Sequence, residues 1–326
     1  MPRLTVLLTV LVLLDGLCLL VAMSSGSADT GLADISRYLA GDAPGNITYI
    51  LDLRLDRAMS AFVAGALLAV AGVLMQVLLR NPLADPFVLG VSGGAAVGAL
   101  GCVLLGLGAV WMPMGAFAGA LGTMVLVFGL ARSGGDWSPP RLLLTGVVIA
   151  AGWGAVINLM LAISPDDRLR GMVFWLMGDL SLTDGPGWMT GVLVLATLPP
   201  LLRARNLNLL AQGELRASAL GVPVPPLRMM VYVCASLLTA AAVTLAGSIG
   251  FVGLITPHLL RLTVGPDHRL LLPASLLAGG GLVILADTLA RTLLAPRQLP
   301  VGVVTALVGV PIFLALLRRR RGAVRL

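Results

Sequence analysis

The sequence holds no lysine and a single glutamate among 326 residues, and only 11% of its positions are Asp, Glu, Lys or Arg. The missing lysine excludes a P-loop, whose lysine reaches the β- and γ-phosphates, and Schiff-base chemistry, which needs an amine. Any ATP that drives this protein is hydrolysed on another polypeptide. Groups that bind metals are equally scarce. The two histidines, His258 and His268, lack partners at ligand spacing and read as neutral, hydrogen-bonded structural residues. Cys18, Cys102 and Cys234 lie in apolar stretches with no C-x-x-C pair and read as small buried hydrophobes. No metal site is expected. Charge this sparse, against about 25% in an ordinary soluble domain, excludes a globule covered by polar surface. A hydrophobic content of 58% excludes disorder.

What the chain has instead is unbroken apolar sequence, which also excludes a β-barrel, whose strands alternate. Ten segments stand out, at roughly 4–24, 57–79, 87–108, 113–131, 142–163, 187–202, 229–247, 249–263, 270–291 and 300–317. At about 20 residues per span, they predict an all-α polytopic membrane protein with ten transmembrane helices. The whole chain, 1–326, forms one transmembrane domain with a polar insertion at about 203–228. The segment at 249–263 is short for a span and predicts a half-length helix, tolerated where protein covers the backbone. Residues 171–178 suit an interface or the plug of a mouth. The segment at 4–24 exceeds the usual signal-peptide core and contains Asp15, so it reads as an uncleaved first span.

All 22 basic residues are arginines, and the net charge is +7. They sit between apolar runs rather than on one face, which signals membrane topology and not nucleic acid. With the N-terminus in the cytoplasm, only Arg37, Arg54, Arg57, Arg168, Arg170, Arg291 and Arg297 fall outside. Most acids share that side, including Asp29, Asp34, Asp42, Asp166, Asp167 and Asp184. The bias predicts both termini in the cytoplasm.

Gly94-x-x-x-Gly98 and Gly115-x-x-x-Gly119 allow close helix approach in lipid. Gly90-Val-Ser92-Gly-Gly94 matches G-x-S-x-G and, with His258, offers an intramembrane serine protease as an alternative. The competing reading is a glycine-rich helix start packed on its neighbours. Arg54 and Arg57 share a helix face. They serve either as interfacial anchors or as an outward pair receiving a partner's carboxylates. Asp287 and Arg291, at i and i+4, predict a local ion pair that leaves the Arg291 fork facing outward; Asp15 has no evident partner. In the insertion, Glu214 to Leu220 reads as a short helix stopped by Gly221 and Pro223, a docking element for a partner.

Several stretches taken in order resemble the FecCD family, the permease subunits of type II ABC importers for iron chelates, haem and vitamin B12. They are RL-x-R (54–57), NPLADPFVLGVSGGA (81–95), RLLLTGV (141–147), FWLMGDL (174–180), LNLLAQGELRASALGV (207–222), GSIGFVGLITPHLLRLTVGPDHRLLLP (247–273), ADTLAR (286–291) and LPVGVVTALVGVPIF (299–313). The resemblance covers about 50 to 317. It implies a ten-helix permease in the bacterial inner membrane, paired as a homodimer or with a paralogous permease. Two ATP-binding subunits, carrying ATP and Mg, would sit on the cytoplasmic side, and a periplasmic substrate-binding protein on the other. The chain itself would hold no cofactor, and its substrate would be an iron chelate or a corrinoid. By resemblance, Arg54, Arg57 and Arg291 dock the binding protein. Gln212, Gly213, Glu214, Ala217, Leu220 and Gly221 contact the ATPase, and Asn81, Leu83 and Leu143 lie at the inner gate. Two departures stand out: Asp56 replaces the family's proline between the paired arginines, and Gln212 replaces a leucine.

Overall fold

The computed structural model describes residues 2–323 except Ser27, Asp29, Ala109, 133–137, Leu182 and Asp184, and side chains only within 5–316. Asp29, Asp184 and Arg325, and the side chains of Arg3 and Arg318 to Arg321, all used in the orientation count, therefore lie outside the description. Fourteen α-helices are formed among the described residues: α1 (Pro2–Ser24), α2 (Leu32–Ala40), α3 (Gly45–Leu78), α4 (Val91–Leu104), α5 (Trp111–Arg132), α6 (Pro139–Ala162), α7 (Asp166–Leu176), α8 (Met189–Leu202), α9 (Ala204–Ala211), α10 (Glu214–Ala219), α11 (Val224–Ala246), α12 (Val252–Val264), α13 (His268–Thr292) and α14 (Val301–Ala323). Six are long and apolar enough to cross a membrane (α1, α3, α5, α6, α11, α13), and α4, α8, α12 and the Val301–Leu316 part of α14 are shorter apolar stretches. Each coincides with one of the ten apolar segments.

Helix α3 is the hub. Its 34 residues reach about 50 Å at 1.5 Å per residue, and its apolar centre is almost wholly covered by α1, α11, α12 and α13. Small residues permit this. A Cβ at Gly65 would collide with the Gly279 carbonyl on α13, and one at Gly72 with the Gly253 carbonyl on α12. Lipid supplies no hydrophobic drive between helices, so such backbone contact carries the packing. The antiparallel register of α3 and α13 is regular. Eight residues separate Arg57 from Gly65 and Asp287 from Gly279, and the two pairs face each other.

The two predicted glycine pairs meet one another. Gly94 on α4 lies on Gly119 of α5, and Gly98 lies on Gly115, each so close that a Cβ would enter the opposing backbone. This also accounts for the G-x-S-x-G pattern. Gly90 adopts φ 72° between a 3-10 turn (Pro86–Leu89) and α4, and Gly94 is a packing contact.

The short segment is a half-length helix, α12, as its length predicts. The non-helical chain before it crosses two other irregular stretches. The Asp179 amide donates to the Ala246 carbonyl (3.0 Å), and the Val301 amide donates to the Gly178 carbonyl (2.9 Å). Gly178 (φ 84°) and Gly247 (φ 65°) let these backbones touch. The 171–178 patch thus ends α7 and enters this junction. Helix α1 packs on α13 as part of the bundle, with the Asp15 carboxylate pressed on Gly281.

Candidate functional site

The two ends of the bundle carry the chemistry. At the end bearing α2 and α7, Arg57 on α3 closes on Asp287 of α13. Its Nε donates to both carboxylate oxygens (3.1 and 3.0 Å), one terminal nitrogen donates to Oδ1 (2.8 Å), and the other donates to Gln298 (3.0 Å). Arg291 stands 3.7 Å from the same carboxylate and donates to the Ala22 carbonyl, tying α13 to α1. Only 4% of the Asp287 side chain is exposed, so two guanidinium groups compensate one desolvated acid.

Arg54 is buried and spent differently. Its guanidinium donates to the Met23 carbonyl (2.6 Å), to the Ala28 carbonyl (2.7 Å) and to the Thr30 hydroxyl, anchoring the chain between α1 and α2. The expectation of outward-facing forks at Arg54, Arg57 and Arg291 is therefore corrected. A local reading of spacing gives the helix face but not the acceptors that draw the side chains inward. Asp56 is exposed on an unbroken stretch of α3, while its arginine neighbours take other partners. Arg297, which spacing did not single out, is exposed at this end. Arg168 donates to the Val103 carbonyl (2.7 Å), capping α4.

At the opposite end, the polar insertion folds as two short helices, α9 and α10. Helix α10 spans Glu214–Ala219, close to the predicted Glu214–Leu220. Glu214 accepts from Arg228 at the start of α11 (3.1 Å) and lies 4.0 Å from Arg80, so the lone glutamate fastens the insertion to the bundle. Gly213 (φ 123°) and Gly221 (φ 79°) bracket α10 in conformations that favour glycine. Gln212, Leu220 and Gly221 are exposed. Ala217, named as a surface contact, is fully buried and packs into the bundle. Leu215, not named, is 91% exposed, the outermost apolar side chain of the insertion.

Asn81, Leu83 and Leu143 share this end. Asn81 Oδ1 accepts from the Leu83 amide (3.0 Å), forming a compact turn after α3. Asp85 accepts from the Phe87 amide (2.8 Å) and starts the 3-10 turn; burial pushes its pKa up to about 6, partly offset by that bond. Gly146 lets the start of α6 sit on Val88 and Leu89, with Leu142 buried and Leu143 turned outward.

Ten apolar helices, one of them half-length, and a braced pair of short helices at one end define a polytopic membrane protein. The profile of the FecCD transport family matches residues 11–319. The hemin transport system permease protein HmuU of Yersinia pestis is 42% identical over 94% of both chains. The cobalamin import system permease protein BtuC of Halobacterium salinarum is 43% identical over 82% of this chain and 73% of its own. An inward-facing structure of a metal-chelate type ABC transporter superposes with a TM-score of 0.84 at 32% identity, covering 97% of this chain and 99% of the other. The chain belongs to the FecCD transport family. It is a permease subunit of an ABC importer and not an enzyme, and nucleotide binding belongs to partner ATPase subunits.

Proposed function

We propose that this permease carries an iron chelate, a siderophore complex or haem, across the bacterial inner membrane. It works as a homodimer or beside a paralogous permease, with both termini in the cytoplasm. Two ATP-binding subunits engage the α9–α10 end, where Gln212, Gly213, Glu214, Leu220 and Gly221, joined by Leu215, form the coupling surface. A periplasmic substrate-binding protein docks at the opposite end on the surface around Arg57 and Arg291, while Arg54 shapes that surface from beneath. Asn81, Leu83 and Leu143 belong to the inner gate.

One observation supports this arrangement above the others: the braced α9–α10 pair and the Arg57–Asp287–Arg291 cluster lie at opposite ends of the same two helices, α3 and α13. Nucleotide-driven closure of the ATPase pair would move the insertion. Glu214 would pass that motion through Arg228 and Arg80 to α11 and α3, changing access to a pathway between permeases.

Reconstitution with the ATPase and binding protein tests the reading. Labelled haemin or ferric siderophore should enter vesicles only while ATP is hydrolysed. Cobalamin is the second reading, favoured by import permeases for it that are 43% and 38% identical to this chain. Uptake of labelled cobalamin alone would decide for that substrate, and uptake without the ATPase would sink the permease assignment.

A further inference from the structure

The stretch RLTVGPDHR (261–269) is unused by docking, gating or coupling, and it lines a cavity of about 470 Å³ at the α9–α10 end. The cavity lies where α3 ends, α12 ends and α13 begins. Two arginines face it, Arg80 and Arg261. The Arg261 guanidinium makes no hydrogen bond or ion pair with any described residue. A guanidinium partly withdrawn from water with no acceptor is costly unless something supplies one.

The acids nearby are already committed. Asp267 accepts from Asn208 (2.8 Å) and from the Arg269 amide (3.1 Å), capping α13. Glu214 serves Arg228 and Arg80. Two further side chains that line the cavity carry orphaned atoms. Gln76 is 3% exposed, and its Oε1 has no partner while its amide nitrogen lies on the Gly253 and Leu254 carbonyls. His268, also 3% exposed, is held through Nδ1 by Asn208 Oδ1 (2.6 Å), which leaves Nε2 unpartnered. Asn208 spends its NH2 on Asp267, so its oxygen must accept. The neutral His268 ring therefore carries its proton on Nδ1 and presents a lone pair at Nε2.

The cavity thus offers two guanidinium donors and, among its described lining residues, no uncommitted acid. We infer that it is a binding site for a phosphate group. Arg80 and Arg261 hold the phosphate oxygens. The phosphate of a head group of the surrounding lipid meets this demand, and so does hydrogen phosphate from solution. Bound there, the group bridges α3, α12, α13 and the insertion.

The test uses the full chain, purified alone and with its ATPase. Native mass spectrometry after transfer from nanodiscs of phosphatidylethanolamine and phosphatidylglycerol reads retained lipid; calorimetry with inorganic phosphate on the delipidated chain reads the free anion. One phosphate-bearing group should be held per chain, and Arg261→Gln should weaken it about tenfold, the loss of one charge-assisted bond. Arg261→Lys, which keeps the charge and guards against misfolding, should retain part of the affinity. Retained phospholipid that phosphate displaces identifies a head group; phosphate binding without retained lipid identifies the free ion. Binding of neither, equal binding by Arg261→Gln, or loss of binding on assembly with the ATPase overturns the inference, the last by giving the cavity to a protein side chain.

Discussion

Arg57 and Asp287, 230 residues apart in sequence, are joined by three hydrogen bonds of 2.8–3.1 Å that lock α3 to α13 at one end of the bundle. Removing one partner of a buried ion pair leaves the other's desolvation uncompensated. Asp287→Ala should therefore cost ~3–5 kcal/mol, read as a lower unfolding midpoint in detergent. Removing Arg57 as well, with Met in its place, should recover part of the loss. A single variant as stable as the native chain would show that the pair contributes nothing.

Glycine substitutions should differ in sign along one helix. On α5, a Cβ at Gly115 would collide with the Gly98 carbonyl, whereas one at Gly122 meets nothing within 4 Å. Gly115→Ala should destabilise by ~1–3 kcal/mol through forced separation of α4 and α5. Gly122→Ala should stabilise by ~0.5–1 kcal/mol through helix propensity. Thermal unfolding of the two variants side by side checks both signs.

Much of this was legible in sequence, and the limits have physical causes. The glycine pairs of α4 and α5 follow from a four-residue spacing, because one helical turn is a local property. The half-length α12 follows from counting residues against bilayer thickness. The Asp287–Arg291 pair was readable at i and i+4, but the stronger Arg57 contact was not, since spacing carries no information about a partner on a distant helix. The same limit hid the three acceptors of Arg54. Ala217 is named as a contact and is buried, and the exposed Leu215 goes unnamed, because α10 has six residues, too few for a hydrophobic pattern to declare its buried side.

Asp85 should make stability depend on pH. Its folded pKa of about 6 lies above the ordinary 3.8. As pH rises between these values the unfolded chain releases its proton first, so stability falls through that window and stays lower above it. Asp85→Asn keeps an acceptor for the Phe87 amide and cannot ionise. At pH 7.5 it should exceed the native chain by on the order of 1–2 kcal/mol, and the gap should narrow at pH 4.5 on its way to closing below the ordinary 3.8. Unfolding midpoints at both pH values decide it.

The coupling surface predicts a separation of assembly from stability. Leu215 touches little within the chain, being 91% exposed. Leu215→Asp should leave the unfolding midpoint within about 0.5 kcal/mol while weakening co-purification of the ATPase. Ala217→Asp, at a fully buried position, should instead damage the fold itself. Normal ATPase recovery with Leu215→Asp would move the interface elsewhere.

Docking and structure are entangled at Arg57, because Arg57→Glu would also set a second acid against Asp287. An exchange separates them. The double variant Arg57→Asp with Asp287→Arg retains one acid and one guanidinium at the same junction of α3 and α13, so most of the stability lost in either single variant should return. The guanidinium, however, now stems from α13, beside Arg291, and the proposed docking position on α3 is an acid. Stimulation of ATP hydrolysis by the binding protein should fall at least tenfold, the size of one lost charge-assisted contact, while basal hydrolysis persists. If the exchanged chain folds and is stimulated as the native one is, Arg57 holds helices together and docks nothing.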